Sequence, residues 1–207
     1  LSVEALMPDG KALQLGTSHN LGQGFAKVFD ISFKGKDEKD HWPWQTSWGF
    51  STRLIGAVIM LHGDDKGLVL PPKIAENQVV VVPIFNEENQ SKILKKADAL
   101  GKSIGQRTFV DDRVGYSPGW KFNEWEMKGI PIRVEIGPKD IAKKQVVLVR
   151  RDNGKKEIVS EAKLKKRVGE VLEEMQKSMF LKAKKLLDSS IDEAKNLKDL
   201  KKKLSEK

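Results

Sequence analysis

Residues 45–72 read Q-T-S-W-G-F-S-T-R-L-I-G-A-V-I-M-L-H-G-D-D-K-G-L-V-L-P-P. Gln45 to Thr52 reads as a strand rich in small residues. Arg53 follows it and opens an apolar run, Leu54 to Leu61, that stops at Gly63. The run is too short to span a bilayer, and its composition predicts a helix over Arg53 to His62. An Arg at a strand-to-helix junction can aim its guanidinium at a ligand phosphate, helped by the unpaired N–H groups of the helix start. The same residues fit a buried helix whose first Arg pairs with a carboxylate elsewhere.

Upstream, Ser2 to Leu6 reads as a strand, Met7 to Lys11 as a tight turn carrying an Asp-Gly signal, and Ala12 to Leu15 as the returning strand. The chain has no initiator Met and opens inside that first strand, unlike a natural start. A helix is expected from about Asn20 to Val28, a strand over Phe29 to Phe33, and a charged loop over Lys34 to His41. Downstream, Pro71-Pro72 closes the first unit, because paired prolines continue neither a helix nor a central strand. Val79 to Val82 is a continuous apolar run of the kind buried on both faces of a sheet. Glu87 to Ile104 is amphipathic, with Ile93, Leu94, Ala97 and Leu100 at helical spacing. Strands are expected over Arg107 to Val110, Pro131 to Ile136 and Val146 to Arg150, a short helix over Phe122 to Met127, and a turn at Asp152-Asn153-Gly154. That alternation argues for an α/β unit on a mixed sheet. From Ser160 the pattern is helical, with Leu164, Val168, Val171, Leu172, Met175 and Met179 forming a packing stripe. Ser190 to Glu193 has the form of a capping box for a second helix through Leu197, Leu200 and Leu204.

Composition narrows the function classes. The chain of 207 residues has no Cys, which excludes a disulfide and a thiolate metal site. His19, His41 and His62 lie far apart, so a His-rich metal site is not expected. Leu1 to Glu4 has no signal-like character, and a cytoplasmic protein away from the membrane is the default. The net charge of +9 suits a nucleic-acid partner through phosphate neutralisation. Residues 155–207 hold 16 Lys/Arg against 10 Asp/Glu, and mixed signs on long helices equally describe a solvated face.

Polar groups in the first unit converge. Ser47, Gly49, Ser51 and Arg53 share one strand face by period two, and Thr17 and His19 share another. Small residues, hydroxyls, a His and an Arg on two strands suit a pocket for a small polar ligand together with a nucleotide. Trp48 and Phe25 read equally well as core.

Four segments carry a resemblance. G-T-S-H-N-L-G-Q-G-F-A-K-V-F-D-I, W-Q-T-S-W-G-F-S-T-R and H-G-D-D-K-G-L-V-L-P-P-K resemble the later half of the catalytic domain of prolyl-tRNA synthetases of the archaeal/eukaryotic type, class II aminoacyl-tRNA synthetases. S-P-G-W-K-F-N-E-W-E-M-K-G-I-P-I-R-V-E-I-G-P-K-D resembles the anticodon-binding domain of the same family. The resemblance covers nearly the whole chain, in family order. It implies part of an antiparallel-sheet catalytic domain over 1–77, a mixed-sheet α/β anticodon-binding domain over 78–154, and a helical connector over 155–207 leading to an absent C-terminal zinc-binding domain. It implies that the first two class II motifs lie upstream of Leu1, so that the chain is a fragment, inactive by itself, of an ATP-dependent proline–tRNA ligase.

Residue by residue, the resemblance implies ATP contacts from Gln14, Leu15, Gly16, Thr17, Ser51 and Arg53, with Arg53 catalytic and Gln14 beside the magnesium that accompanies ATP. It implies a proline pocket from His19, Phe25, Ser47, Trp48 and Gly49, and anticodon contacts from Phe122, Glu126, Arg133, Lys139 and Asp140. Gly24 departs from the Asn common in the family before Phe25. The implied partners are L-proline, the tRNA with the proline anticodon and, for the full-length protein, a second copy in a homodimer. A pocket of this kind discriminates weakly against smaller amino acids, so misactivation of alanine is expected. Two other readings remain open here: a catalytically inactive anticodon-binding module, and a stand-alone regulatory relative.

Overall fold

A computed structural model describes residues 1–205. The chain divides into two compact units after Leu61. In the first, β1 (Ser2–Leu6), β2 (Ala12–Gly22) and β5 (Gln45–Phe50) form an antiparallel sheet with β2 central. A short helix α1 (Gly24–Val28), a two-stranded ribbon of β3 (Phe33–Lys34) and β4 (Asp40–His41), and helix α2 (Arg53–His62) complete it.

Strand β2 differs most from expectation. It was expected to end at Leu15, but it runs on through the Gly-Thr-Ser-His-Asn stretch to Gly22. These residues have weak strand preference, yet β5 pairs with β2 from Gly16 to Gly22, taking over where the pairing with β1 ends at Thr17, and that long-range ladder overrides local preference. Helix α1 is therefore only five residues long. The strand expected over Phe29 to Phe33 shrinks to Phe33–Lys34, which pairs with Asp40–His41 inside the stretch expected as loop. At the other end β5 stops at Phe50, and Ser51 and Thr52 turn the chain into α2 through bonds from the N–H of Leu54 to Ser51 O and of Ile55 to Thr52 O. Buried apolar residues here are few: Met7, Ala26 and Ala57.

The second unit holds a five-stranded mixed sheet in the order β10-β9-β8-β6-β7. Strand β6 (Val79–Pro83) lies between β7 (Thr108–Val110) and β8 (Ile132–Ile136), parallel to both, and β9 (Gln145–Arg150) and β10 (Lys156–Ser160) continue antiparallel. Helix α3 (Gln90–Ile104) leads from β6 to β7, α4 (Pro118–Met127) from β7 to β8, and α5 (Pro138–Ala142) from β8 to β9. Val79 to Val82 are all fully buried, as a continuous apolar run requires. Val79 and Val81 join the core that holds Ala97 and Leu100 of α3, whereas Val80 and Val82 pack with Trp125 of α4. The two helices therefore cover opposite faces.

A 3₁₀ turn, Glu161–Lys163, leads into α6 (Leu164–Ser190). The apolar stripe from Leu164 to Met175 belongs to the same core as β6 and α3. The first half of α6 is thus part of the sheet domain, while Phe180, Leu181 and Leu187 farther along are exposed. Strand β10 falls in the stretch expected as helical connector; it opens on the charged Lys156 and Glu157 and buries a single residue, Val159. Helix α7 (Leu197–Ser205) does not start at the Ser190 to Glu193 signal. The side chain of Asn196 caps it instead, accepting the N–H of Asp199 at 2.9 Å.

Residues 62–77 join the second unit by named bonds. The N–H groups of Leu68 and Leu70 donate to the carbonyls of Met127 and Gly129, and Arg107 donates to the carbonyls of Pro72 and Lys73. Gly129 has φ +73°, and a Cβ there would lie 2.6 Å from Leu68, so this crossing requires glycine. Among the described residues no helix is long and apolar enough to cross a membrane.

If α6 is integral to the sheet domain, Met175→Ala should destabilise it by about 2–5 kcal/mol, as expected for emptying a buried Met site. Leu187→Ala, on the exposed half of the same helix, should stay within about 0.5 kcal/mol. Urea unfolding followed by circular dichroism would compare the two.

Candidate nucleotide pocket and nucleic-acid interface

In the first unit the pairing of β2 with β5 sets Thr17 opposite Gly49 and His19 opposite Ser47. Directly opposed residues of an antiparallel pair share a face. Thr17, His19, Ser47 and Gly49 therefore lie on one side, and Gly16, Ser18, Trp48 and Phe50 on the other. Trp48 and Phe50 rest on each other, with ring centroids 5.7 Å apart. A cavity of about 330 Å³ is bordered by Gln14 to Thr17, His19, Ser47 to Ser51, and Arg53. It brings together every residue that the sequence suggested for ATP and proline except Phe25. Phe25 stacks on Phe29 at 6.3 Å instead and is half-exposed.

Local chemistry fixes the polar rim of this cavity. The Nη1 of Arg53 donates to the Gln14 carbonyl at 3.2 Å, and the Ser51 hydroxyl accepts the N–H of Arg53 at 3.3 Å. Arg53 thus starts its helix with the guanidinium held against β2. A Cβ on Gly16 would press to 3.1 Å on the Gly49 carbonyl and on the Phe50 ring, while one on Gly49 would meet open space. Gly16 is therefore needed for packing between strands, and Gly49 leaves the cavity floor bare. The Nε2 of Gln14 donates to the Ser2 hydroxyl at 3.1 Å. No carboxylate borders the cavity, and no group of three or more His, Asp or Glu side chains able to hold a metal occurs among the described residues.

In the second unit Arg133 and Glu135 project from β8 on the α4 side, opposite Val80 and Val82 in the register. Arg133 donates through Nε and Nη2 to Glu135 Oε1 at 3.0 and 2.9 Å, and its guanidinium carbon lies 4.2 Å from the centre of the Phe122 ring. Glu126, one turn along α4 from Phe122, accepts from Lys66 at 3.1 Å. Glu126 and Arg133 border a cavity of about 200 Å³ with Lys66, Arg150, Arg151 and Lys156. Lys66 is a residue the sequence gave no reason to place here. Its segment is pinned by Asp64, which accepts two bonds from Arg151 at 2.6 and 2.7 Å, and Arg151 also donates to the Glu126 carbonyl. Lys139 and Asp140 do not border this cavity. Asp140 caps α5 by accepting the N–H of Gly137 at 3.0 Å.

Beneath α4 lies a buried charge cluster. Asp111 and Lys121 are both essentially inaccessible. Asp111 accepts from Arg113 at 2.9 and 2.8 Å and from the Trp125 indole at 2.8 Å, and Lys121 donates to its main-chain carbonyl at 2.9 Å. Burial alone would raise the Asp111 carboxyl, but the bonds from Arg113 and Trp125 and the charge of Lys121 outweigh it and bring the pKa down to about 2. Asp64 is likewise lowered to about 2, chiefly by its bonds from Arg151.

A family model described as "Anticodon binding domain" matches residues 78–171, from the start of β6 into α6. Among curated proteins, the "Proline--tRNA ligase" of Natranaerobius thermophilus is 52% identical over 200 residues, 96% of this chain and 41% of the relative. That of Oceanobacillus iheyensis is 51% identical over 207 residues, all of this chain and 43% of the relative, and that of Rubrobacter xylanophilus 48% identical over 99% of this chain and 44% of the relative. Along nearly its whole length the chain is homologous to part of the proline–tRNA ligases. It spans about two fifths of the length of the curated ligases it matches. The sheet domain with α3, α4 and the first part of α6 is the family's anticodon-binding fold.

The buried carboxylate predicts how acid affects this domain. Because the Asp111 pKa is depressed on folding, its contribution is present above the ordinary carboxylate pKa and is lost as pH falls from about 4 to about 2. Stability should fall over that window, and Asp111→Asn should flatten the fall while lowering stability at pH 7. Urea midpoints measured across the acid range would test this.

Proposed function

We propose that this chain is the part of a proline–tRNA ligase that supplies one side of the activation site and the anticodon-binding domain. The observation that carries the reading is the cavity rimmed by Gln14 to Thr17, Ser47 to Ser51 and Arg53, in a chain whose residues 78–171 match an anticodon-binding domain. The domain limits implied by the resemblance, 1–77, 78–154 and 155–207, belong to the same proposal. So do a cytoplasmic location and, for the whole protein, a homodimer.

The chemistry is acyl activation followed by transfer. A proline carboxylate oxygen bonds to the α-phosphorus of ATP, and pyrophosphate leaves. A tRNA hydroxyl then attacks the activated carbonyl, and AMP leaves. Negative charge grows on the phosphate oxygens in the first step. The guanidinium of Arg53 stays charged throughout and donates in a fork, so it stabilises that charge without a proton transfer. Its bond to the Gln14 carbonyl holds it in place before substrate arrives. The exposed backbone at Gly49 lets a flat ligand lie close to β5. Thr17, Ser47 and Ser51 offer hydroxyls, and His19, on the same sheet face as Thr17, Ser47 and Gly49, would meet proline.

The donor set fits magnesium carried by the nucleotide rather than a dedicated cage. The cavity offers the Gln14 amide and hydroxyls, and magnesium commonly binds through phosphate oxygens and water with few protein ligands. Gln14 would hold it there, and it would neutralise charge on the departing pyrophosphate. The apolar side chains exposed on the first unit, among them Trp44, Phe29 and Ile55, would be covered in the whole enzyme by the remainder of its catalytic domain.

At the other end, Glu126 and Arg133 present an acceptor and a donor to one small cavity beside the Phe122 ring. A guanine offers N–H donors on its Watson–Crick edge and acceptors on its other edge, which suits this pair. Phe122 would stack on an unpaired base. Lys139 and Asp140, at the start of α5, would meet a neighbouring nucleotide.

In the full-length ligase, Arg53→Ala should cost about 2–4 kcal/mol of transition-state stabilisation in proline-dependent pyrophosphate exchange. His19→Ala should raise the KM for proline far more than that for ATP, and Gln14→Ala should do the reverse; equal effects on both substrates would undo this assignment of sides. The chain alone should exchange poorly, and robust exchange by it would contradict the proposal. Arg133→Ala should weaken binding of tRNA bearing the proline anticodon by about 1–3 kcal/mol and leave a tRNA with an altered anticodon nearly unchanged. Filter binding at fixed salt distinguishes the two.

A further inference from the structure

Helix α4 advances about 100° per residue. Its buried stripe is Lys121 and Trp125. Phe122 and Glu126 lie on one flank of that stripe. Trp120 and Glu124 lie on the other, and this second flank has no part in the reading above. There Tyr116 and Trp120 stack with ring centroids 4.3 Å apart and planes 26° from parallel. Both side chains stay near half-exposed, at 47% and 44%.

The pair is held rigidly. The Arg113 guanidinium carbon lies 5.1 Å from the Tyr116 ring centre and 5.3 Å from that of Trp120. Arg113 in turn is gripped by Asp111 through two bonds and by Glu124 through a third. Asp111 is fixed from below by Trp125. The Ser117 hydroxyl caps α4 by accepting the N–H of Trp120 at 3.2 Å, which fixes the backbone carrying the indole. The result is a preorganised aromatic surface, open to solvent, backed by a cation, on a domain whose family description is anticodon binding. Such a surface pays little ordering entropy when a planar partner lies on it. Aromatic faces backed by arginine are the chemistry that single-stranded nucleic acid uses for stacking without sequence readout.

We propose that Tyr116 and Trp120 form a second stacking site, for an unpaired RNA base adjacent to those met by Phe122, Glu126 and Arg133. This rests on the reading that residues 78–154 bind the anticodon loop. The site contributes affinity and little base preference, because every base has a face to stack and Arg113, the charged group behind the rings, is committed to Asp111 and Glu124.

The test uses the whole chain and an RNA hairpin whose loop carries the proline anticodon. Trp120→Ala should weaken binding about tenfold or more, the usual range for losing one stacked base, and Trp120→Phe should restore most of it. The loss should be equal for hairpins with the cognate and an altered anticodon. Replacing the loop nucleotides one at a time by abasic residues should abolish the Trp120→Ala effect at one position and leave it intact at the others. A Trp120→Ala protein that binds within twofold of the parent, while Arg133→Ala still weakens cognate binding, would overturn the stacking site and leave the anticodon reading standing. An effect that persists at every abasic position would overturn it too, showing that Trp120 acts only on the shape of the domain. Failure of the parent protein to prefer the hairpin over a fully paired duplex would instead defeat the anticodon reading itself.

Discussion

Burial of β6 on both faces is the constraint from which the second unit follows. Four consecutive valines, Val79 to Val82, have no exposed surface. A strand with that composition must carry a layer on each side of its sheet. Alternate valines then sort the rest of the chain. The odd-numbered pair meets α3 and α6, and the even-numbered pair meets α4. The in-register partners of the even pair are Arg133 and Glu135, which places the polar pair of β8 beneath α4 and beside Phe122. A small shift in that register would turn Arg133 into the apolar side, where its charge would have no partner.

The first unit depends on a different constraint, the double pairing of β2. Pairing with β1 over its first half and with β5 over its second, overlapping at Gly16 and Thr17, carries a polar, glycine-containing sequence through eleven residues as strand. It also fixes which residues of β5 stand opposite Gly16, Thr17 and His19. The cavity is thus a product of register rather than of a packed core, of which this unit has little. Arg53 completes it because the chain turns at Ser51 and Thr52, bringing the helix start back to the Gln14 carbonyl.

Charge is used mainly inside the molecule. Arg151 binds Asp64, Arg150 binds Asp152 and Glu174, and Arg167 binds Glu157, Glu170 and Glu174. Arg167 of α6 thus pairs with Glu157 of β10, and Glu174 of α6 with Arg150 of β9, and solvent-accessible pairs of this kind contribute little stability each. Around the Glu126 cavity the same economy has a chemical effect. Arg151 grips both the Asp64 carboxylate and the Glu126 carbonyl, so the segment carrying Lys66 and the helix carrying Glu126 are set by one side chain.

How much of this was legible depended on whether a feature is local or long-range. The valine run, the stripe of α3, the stripe of α6 and the apolar helix after Arg53 each carry their own period, and the sequence alone placed them within a few residues. The grouping of Gln14 to Thr17 with Ser47 to Arg53 was legible too, because period-two alternation in two strands nearly implies a shared face. Extension of β2 through Gly22, strand β10 and the Asn196 cap were not, since their residues are polar or small and become ordered only by partners distant in sequence. Nor did the chain announce that Lys66 would reach Glu126, that Asp140 would cap its own helix, or that Phe25 would lean on Phe29 rather than the cavity. The amino-acid order by itself determined which segments prefer helix or strand, through side-chain size, branching and hydrophobic period. The tertiary structure alone decided which strands pair, in which register, and therefore which polar groups meet, because those choices are settled by the ladder of hydrogen bonds and the burial of both sheet faces together.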